Sequence, residues 1–234
     1  MTDLPPSGTL LALSPHLDDA VFACGRLLAS TPGAIVATIF AGRPPQSQPL
    51  TDWDRAAGFS PGDDVVGIRR EEDRAALDIL GAQPRWLNLR DSQYGGADAE
   101  EVGKRLRELL SDCRPDTVLI PLGLFHSDHR VVHEAALSLL VPDTPCRWLA
   151  YEDALYRRID GLRDAAIEAL KVRGLDPQPV SFRESPQAEL RKAGAVACYR
   201  SQLRALATPG RPGVADLEAP EAYWQLSPPP RSQP

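Results

Sequence analysis

A short apolar run that ends abruptly in polar side chains constrains the fold most. Residues 10–13 (Leu-Leu-Ala-Leu) are followed at once by Ser-Pro-His-Leu-Asp-Asp at residues 14–19, and apolar residues then recur densely up to residue 29. The pattern predicts a buried strand at residues 8–13 and a helix that begins at Asp18 or Asp19. His16 and two carboxylates would then lie at the carboxyl edge of a sheet, where parallel α/β folds build their sites.

The rest of the chain continues this alternation. Further strands are predicted at residues 34–40, 85–89, 117–122 and 147–151. Helices are predicted at residues 65–81, 97–111 and 160–170, and another runs through residues 135–140. A proline-containing connection then leads to a last helix at residues 186–206. Strands that alternate with helices predict an α/β fold, a three-layer, Rossmann-like, mostly parallel sheet with helices on both faces.

Domain organisation is predicted to be simple. Residues 1–226 should form a single domain, and the proline-rich residues 227–234 a disordered tail. Residues 43–64 show no periodicity but contain Trp53 and Phe59. We interpret this segment as a flap over the site, with a plain surface excursion as the alternative.

Composition excludes some partners. The formal net charge of −6 argues against general nucleic-acid binding. No apolar run reaches the roughly 20 residues that a membrane span needs, and the N-terminal residues lack the basic flank and apolar core of a signal peptide. We therefore expect a cytoplasmic protein whose partner is a small molecule, and a homo-oligomer is left open.

The histidines indicate a metal site. The chain has four, His16, His126, His129 and His133, and the last three follow the strand predicted at residues 117–122. His16, Asp19 and His129 would supply two nitrogens and one carboxylate, which leaves an open position for water, as in catalytic zinc sites. Iron(II) would fit the same ligands.

The neighbouring polar residues suggest catalytic roles. Asp18, beside a ligand, would be the general base, and its alternative role is a helix cap. His126, when protonated, could stabilise an oxyanion or protonate a leaving amine, with Asp128 holding its ring and raising its pKa. His133 lies one helical turn after His129 and is equally compatible with supporting the site and with simple packing.

The two histidine motifs together resemble a known family. Pro-His-x-Asp-Asp at residues 15–19, paired with His-x-Asp-His at residues 126–129, resembles the LmbE-like (PIG-L) family of zinc-dependent N-deacetylases. Weaker resemblances lie in Arg-x-x-Glu at residues 69–72, Asp91, Lys192, Tyr-Arg-Ser-Gln at residues 199–202 and Pro-Glu-Ala-Tyr-Trp at residues 220–224. Leu17 and Ala20 depart from the family's usual proline and glutamate, but neither change removes a ligand.

The resemblance implies a role for eight side chains. They are His16, Asp19 and His129 as zinc ligands, Asp18 as base, His126 as oxyanion stabiliser oriented by Asp128, and Arg69 and Asp91 as contacts to sugar hydroxyls. The function implied is metal-dependent removal of an N-acyl group, with N-acetyl favoured, from an amino-sugar derivative. The alternatives are an amidase for another amide, such as a thiol conjugate, and an inactive metal-containing carbohydrate-binding protein. A structural zinc would require four closed ligands, usually including cysteine.

Overall fold

The computed structural model describes residues 2–3, 5–45, 47–141 and 146–227. The strands are β1 Thr2–Asp3, β2 Leu10–Ser14, β3 Ile35–Thr38, β4 Gln83–Trp86, β5 Thr117–Pro121, β6 Arg147–Tyr151, β7 Asp176–Phe182 and β8 Tyr223–Ser227. The α-helices are α1 Asp19–Ala29, α2 Asp52–Ala56, α3 Val65–Leu80, α4 Ala99–Cys113, α5 Ser127–Leu137, α6 Leu162–Val172, α7 Pro186–Val196 and α8 Arg200–Leu206. Short 3-10 helices span Ser92–Tyr94 and Ala215–Leu217.

The described strands form one sheet in the order β1-β7-β8-β6-β5-β2-β3-β4. β2 pairs in parallel with both β3 and β5, and the pairs β3–β4 and β5–β6 are also parallel. Only β8 runs antiparallel to its neighbours, β6 and β7, among the strands of the described chain. The mostly parallel sheet is thus confirmed. The chain builds outward from β2 through β3 to β4 and then returns to β5, so β2 and β5 flank the topological switch point.

Alternate residues of the central strand feed two separate cores. Leu10 and Ala12 of β2 pack in a cluster with residues of α1, α3 and α7. Leu11 and Leu13 pack on the opposite face with residues of α4, α5 and α6. All four side chains are almost completely buried, as expected for a strand covered on both faces. The predicted three-layer arrangement is therefore confirmed.

The helix predicted at residues 186–206 is wrong as a single element, because the chain breaks between α7 and α8. Tyr199 leaves the helical conformation (φ −81°, ψ 58°), and its hydroxyl donates a hydrogen bond to Asp73 at 2.8 Å. Glu72 then accepts hydrogen bonds from the backbone N–H and the hydroxyl of Ser201 at 2.9 and 2.6 Å. The break thus ties α8 to α3 through residues that resembled family signatures.

The connection predicted before residue 186 contains a strand, β7. Its prolines, Pro177 and Pro179, suggested irregular structure, but β1 pairs with β7 only at Ser181 and Phe182. In the described sheet the prolines therefore pair with β8 alone and leave the other edge of β7 free at these two residues, which is where strand prolines are tolerated. β8 was also missed, and Ser227, assigned to the tail, is its last residue. The rest of that predicted tail, residues 228–234, lies outside the described residues.

Two predicted boundaries also need correction. β4 begins two residues earlier than predicted, at Gln83, and ends at Trp86. α5 begins at Ser127, so His129 and His133 lie on its first two turns. Within the described residues, no helix combines the length and the apolarity needed to cross a lipid bilayer.

The segment at residues 43–64 contains a helix that its lack of periodicity concealed. Thr51 and Asp54 form a capping box at the start of α2. The Trp53 indole N–H donates to Gln202 Oε1 at 2.8 Å, and the Tyr94 hydroxyl donates to Asp54 at 2.8 Å. α2 is therefore docked on the body of the protein. The proposed flap role of the whole segment stays a prediction.

Candidate metal centre and active site

The predicted site residues meet at the carboxyl ends of β2 and β5. β2 ends at Ser14 and β5 at Pro121, and the next turns carry His16 and His126 to the same edge. The ring centroids of His16, His126 and His129 lie 5.1 to 5.5 Å from one another. The two histidine motifs are therefore neighbours in space, at the position where open α/β sheets bind ligands.

His16, Asp19 and His129 form a group that could hold a metal ion. Asp19 Oδ2 lies 3.1 Å from His16 Nδ1 and 3.2 Å from His129 Nε2. The same oxygen accepts the backbone N–H of His16 at 2.8 Å, which fixes the turn between strand and helix. One carboxylate oxygen and two imidazole nitrogens thus converge on one point, as in three-ligand catalytic metal sites.

A carboxylate holds the far nitrogen of each of these histidines. His16 Nε2 lies 2.9 Å from Asp128 Oδ2, and that oxygen also accepts the backbone N–H of Ser92 at 3.0 Å. His129 Nδ1 lies 2.5 Å from Asp153 Oδ1. Because carboxylates accept hydrogen bonds, both far nitrogens carry their protons here, which leaves His16 Nδ1 and His129 Nε2 for a cation.

The electrostatics of this group favour a cation. Burial opposes charge on His16, but Asp128 and Asp19 outweigh it and raise the pKa of His16 well above its ordinary value. Burial likewise opposes charge on His129, while Asp19 and Asp153 raise its pKa to about 9. The carboxylates therefore attract positive charge to the point where the three side chains meet. A divalent cation would supply that charge, so the residues fit a metal ion.

Asp18 is buried beside this group and has no evident structural duty. It occupies the N-cap position of α1 but makes no side-chain cap hydrogen bond, so the alternative role as a helix cap is not found. Burial, followed by the adjacent Asp19 carboxylate, raises the pKa of Asp18, while His16, His129 and Arg69 oppose that rise. An unused carboxylate at this position is suited to accept and release a proton.

The prediction for His126 and Asp128 needs correction. Asp128 was expected to hold the His126 ring, but its carboxylate contacts His16 and Ser92 instead. His126 Nδ1 accepts the backbone N–H of Asp128 at 3.2 Å, which places the ring proton on Nε2. Burial, with His16 and His129 nearby, lowers the pKa of His126 to about 4. His126 is therefore a neutral hydrogen-bond donor at pH 7, not a protonated imidazolium.

Arg69 and Asp91 lie on the α3 and β4 side of the site. Arg69 is buried, with its guanidinium 5.3 Å from the Phe59 ring centroid and Nη2 3.0 Å from Asp54 Oδ1. Its Nη2 is therefore taken by the Asp54 carboxylate, whereas its Nε has neither a hydrogen-bond nor an ion-pair partner in the described structure. Asp91 caps the 3-10 helix at Ser92–Tyr94 by accepting the backbone N–H of Gln93 at 2.8 Å. Arg69 therefore has one unused donor, Nε, whereas Asp91 already has a structural role.

A second group of potential ligands is less suited to a cation. It consists of His16, His126 and Asp128, but the direct His16 Nε2–Asp128 contact already satisfies two of its atoms. His133 belongs to neither group. Its Nδ1 donates to the Pro121 carbonyl at 2.9 Å, so His133 joins α5 to β5 and supports packing, not the metal group.

Comparison with known proteins agrees with this geometry. The family model for PIG-L, described as GlcNAc-PI de-N-acetylase, matches residues 11–140. These residues include both histidine motifs. The chain belongs to the PIG-L family.

One curated relative and two solved structures of a second deacetylase extend the comparison for this PIG-L protein. The 2'-N-acetylparomamine deacetylase of Streptomyces fradiae is 33% identical over an alignment of 181 residues, and the match covers 68% of this chain and only 60% of the relative. A triple mutant of a deacetylase of the teicoplanin biosynthetic pathway is 28% identical, with a TM-score of 0.77 over 96% of this chain and 100% of that chain. The zinc-inhibited form of teicoplanin deacetylase is 25% identical, with a TM-score of 0.77 and the same coverage. The α/β fold is therefore shared along nearly the whole PIG-L chain.

Sequence reasoning missed three contributors to the PIG-L site. Asp153 follows β6, a parallel strand of the same sheet, so its position after a predicted strand could have identified it as a site residue. Ser92 gave no signal, because its contact to Asp128 joins residues 36 apart through a backbone N–H. Asp54 was readable only as the last member of the Thr-x-x-Asp capping box, since its burial against Arg69 depends on the fold.

Proposed function

We propose that this protein is a metal-dependent N-deacetylase that removes the acetyl group from an amino-sugar derivative. The observation that carries the proposal is the buried Asp18 carboxylate, which makes no cap hydrogen bond beside a group that fits a cation. Binding alone would not require such a carboxylate. The relatives named as deacetylases support the reaction class and an amino-sugar substrate.

We assign the metal to His16, Asp19 and His129, and zinc is the ion that this donor set fits best. When bound, the ion would polarise the amide carbonyl and lower the pKa of water. One structure of a relative is of a zinc-inhibited form. This supports zinc binding and suggests that excess zinc lowers activity. Activity should therefore be compared at one equivalent and at excess zinc, with iron(II) as the second metal.

The residues around the metal group transfer the proton, stabilise the oxyanion and orient the ligands. Asp18 accepts the proton of the attacking water and returns it to the leaving nitrogen. His126 donates its Nε2–H to the carbonyl oxygen as negative charge develops there. Its neutral state suits this role, because a neutral donor adds no second positive charge beside the cation. Asp128 and Asp153 keep the rings of His16 and His129 in place.

Arg69 is proposed as the substrate contact on the other side. Its Nε lacks a partner within the described structure, while its Nη2 pairs with Asp54, and a buried donor without an acceptor is costly. A sugar hydroxyl would satisfy the Nε donor. Asp91, whose oxygens already accept hydrogen bonds from Gln93, is proposed to contact substrate through its remaining acceptor capacity.

The domain assignment is also a proposal, that residues 1–226 form a single domain. It is supported by the one sheet into which the described strands pair and by a structural relative that covers 96% of the chain.

The first experiment measures amine release from N-acetylated amino sugars and their glycosides by zinc-loaded and chelator-treated protein. We expect metal-dependent release from at least one member, and Asp18→Asn should lower kcat by about 10²- to 10⁴-fold while the protein retains its metal. Asp112→Asn, an exposed change on α4, is the matched control.

Other outcomes would redirect the proposal. Release from thiol-conjugate amides but not from sugars would support the amidase alternative. Metal-loaded parent protein that binds sugars without turnover would support a carbohydrate-binding protein.

A further inference from the structure

The residue before His126 is an exposed aromatic side chain. Phe125 is 63% exposed, and among the large hydrophobic side chains exposed in the described part of the chain it is the only aromatic one. Four of the others lie on helices, namely Ile68, Ile79, Val172 and Leu190. Exposed apolar surface beside a polar site is typical of ligand contact.

The backbone holds Phe125 in a conformation that disfavours it. Its φ is +59°, and the other positive φ of a non-glycine residue in the described structure is at Arg114. Arg114 ends α4, where a left-handed residue is common, whereas Phe125 lies between β5 and α5. Such conformations cost free energy for a bulky residue and cluster at functional sites.

Hydrogen bonds of the residues on either side of Phe125 hold its backbone in this conformation. Leu124 donates its N–H to Asp153 Oδ2 at 2.9 Å, and the other oxygen of Asp153 holds His129. The N–H of His126 donates to the Leu124 carbonyl at 2.7 Å. The turn that presents the Phe125 ring is therefore built by the same residues that orient a proposed ligand.

Phe125 pairs with a second aromatic side chain, Tyr156, from the connection between β6 and α6. Their ring centroids are 5.2 Å apart at 31°. The Tyr156 ring lies nearly parallel to that of His126, at 6.4 Å and 24°, and 5.5 Å from that of His129. The two rings thus form a continuous apolar wall from the proposed oxyanion donor outward to solvent. We call Phe125 and Tyr156 the aromatic rim.

We propose that the aromatic rim is a subsite for an apolar substituent of the substrate, so that amino sugars with such a substituent are preferred over unsubstituted ones. The inference rests on the proposed function for the position of the amide. The substituent could belong to the glycosidic group or to the N-acyl chain, because both would present the same apolar chemistry to the rings. Stacking and burial on two aromatic rings would favour it.

The test distinguishes the effect of the Phe125 ring on substrate preference from the effect of its strained backbone on stability. Phe125→Gly removes the ring and relieves the positive φ, so its melting temperature should equal or exceed that of the parent. Methyl and phenyl glycosides of N-acetylglucosamine form one arm, and methyl glycosides that carry N-acetyl or N-octanoyl groups form the other. If the rim binds the glycosidic group, the first arm should show the effect, and if it binds the N-acyl chain, the second arm should. In that arm the ratio of kcat/KM for the apolar substrate to kcat/KM for the other substrate should fall in the variant by roughly 5- to 20-fold.

The loss should fall on KM more than on kcat. Leu190→Ala, a truncation of another exposed apolar side chain, on α7, should keep the preference. Equal effects of Phe125→Gly on substituted and unsubstituted substrates in both arms, or no effect in either, would overturn the inference.

A binding measurement keeps this inference distinct from the proposed reaction. Phenyl and methyl glycosides of glucosamine, which carry no amide, are titrated calorimetrically into the metal-loaded parent and Phe125→Gly. Tighter binding of the phenyl glycoside that is lost in the variant would support the rim even if no amide is hydrolysed. Hydrolysis by a parent that shows no apolar preference in any arm would contradict the rim while the reaction stands.

Discussion

At the scale of single residues, the metal group is notable for two carboxylates that do not belong to it. Asp128 and Asp153 come from different elements, yet each holds the far nitrogen of one proposed ligand, His16 or His129. Such contacts fix both the tautomer and the direction of the ring. The structure thus gives Asp128 an orienting role toward His16, which differs from the role toward His126 that the motif suggested.

This reassignment predicts the behaviour of two variants. Asp128→Asn and Asp153→Asn should each weaken metal binding by about 10- to 100-fold, measured by competition with a chromogenic chelator. His126→Gln should lower kcat by about 10²- to 10³-fold with a much smaller effect on metal affinity. If Asp128→Asn lowered kcat as His126→Gln does and left metal affinity intact, Asp128 would belong with His126 after all.

Asp73 allows a second residue-scale prediction, about stability and pH. The side chain is buried and accepts hydrogen bonds from Trp86 Nε1 at 2.7 Å and the Tyr199 hydroxyl at 2.8 Å. Burial outweighs these donors and raises the pKa of Asp73 to about 6. Because the folded pKa exceeds the unfolded one, the folded state binds the proton more tightly. The stability that this proton provides is lost as the pH rises through 6.

The measurement is urea unfolding of metal-free protein between pH 4 and pH 7.5. The free energy of unfolding of the parent, relative to Asp73→Asn, should fall by roughly 2 kcal/mol over this range. Asp112→Asn, an exposed change on α4, should show no such trend. A difference between parent and Asp73→Asn that does not vary with pH would show that Asp73 has an ordinary pKa.

At the scale of elements, the C-terminal segment is joined to the body through a buried carboxylate. Glu221 accepts hydrogen bonds from the backbone N–H of Arg26 at 2.8 Å, from Lys192 Nζ at 2.9 Å and from the Tyr223 hydroxyl at 2.5 Å. The ion pair with Lys192 is almost fully buried. Glu221 therefore links α1, α7 and the start of β8, and it brings together two weaker family resemblances, Lys192 and the segment at residues 220–224.

Removing one partner of this ion pair should be costly. Glu221→Ala should lower the free energy of unfolding by about 3–5 kcal/mol, because it leaves the Lys192 charge buried and unpaired. Glu108→Ala breaks the exposed pair with Arg105 and should cost less than about 1 kcal/mol. Urea unfolding of both variants gives the comparison. Equal small losses would mean that water reaches Lys192 when Glu221 is removed.

The same scale shows how far the sequence could predict the fold. β2, β5 and β6 are short apolar runs covered on both faces, so pattern alone located them to within about two residues. β7 could not be found, since Pro177 and Pro179 argue against a strand unless its edge position is known. The break before α8 was hidden as well, because it depends on Asp73 and Glu72, more than a hundred residues earlier.

At the scale of the whole molecule, the candidate site joins distant parts of the chain at the switch point. The sequence predicted that His16 and His129 would meet, because parallel strands bring their carboxyl ends to one edge. It could not predict which carboxylate holds which ring, because rotamers at the sheet edge depend on neighbours such as Ser92 and Leu124. The left-handed backbone conformation of Phe125 could not be predicted either, since position 125 is not a glycine.

A ligand set that spans the switch point links metal binding to global stability. Only the folded chain brings His129 to within reach of His16 and Asp19, so a bound cation should stabilise the fold by about 2.7 kcal/mol when its free concentration is 100 times Kd. For a chain of this size, chelation should lower the melting temperature of metal-loaded protein by about 5–10 °C.

Variants identify the source of that shift. Asp18→Asn should keep the chelator-induced shift, since Asp18 is not among the proposed ligands, whereas Asp19→Ala should abolish it. Asp19→Ala also loses the contact to the His16 backbone N–H, so the shift within each variant is compared and not the absolute melting temperature. A full shift in Asp19→Ala would place the cation elsewhere in the fold. Loss of the shift in Asp18→Asn would make Asp18 a ligand and leave the reaction without its proposed base.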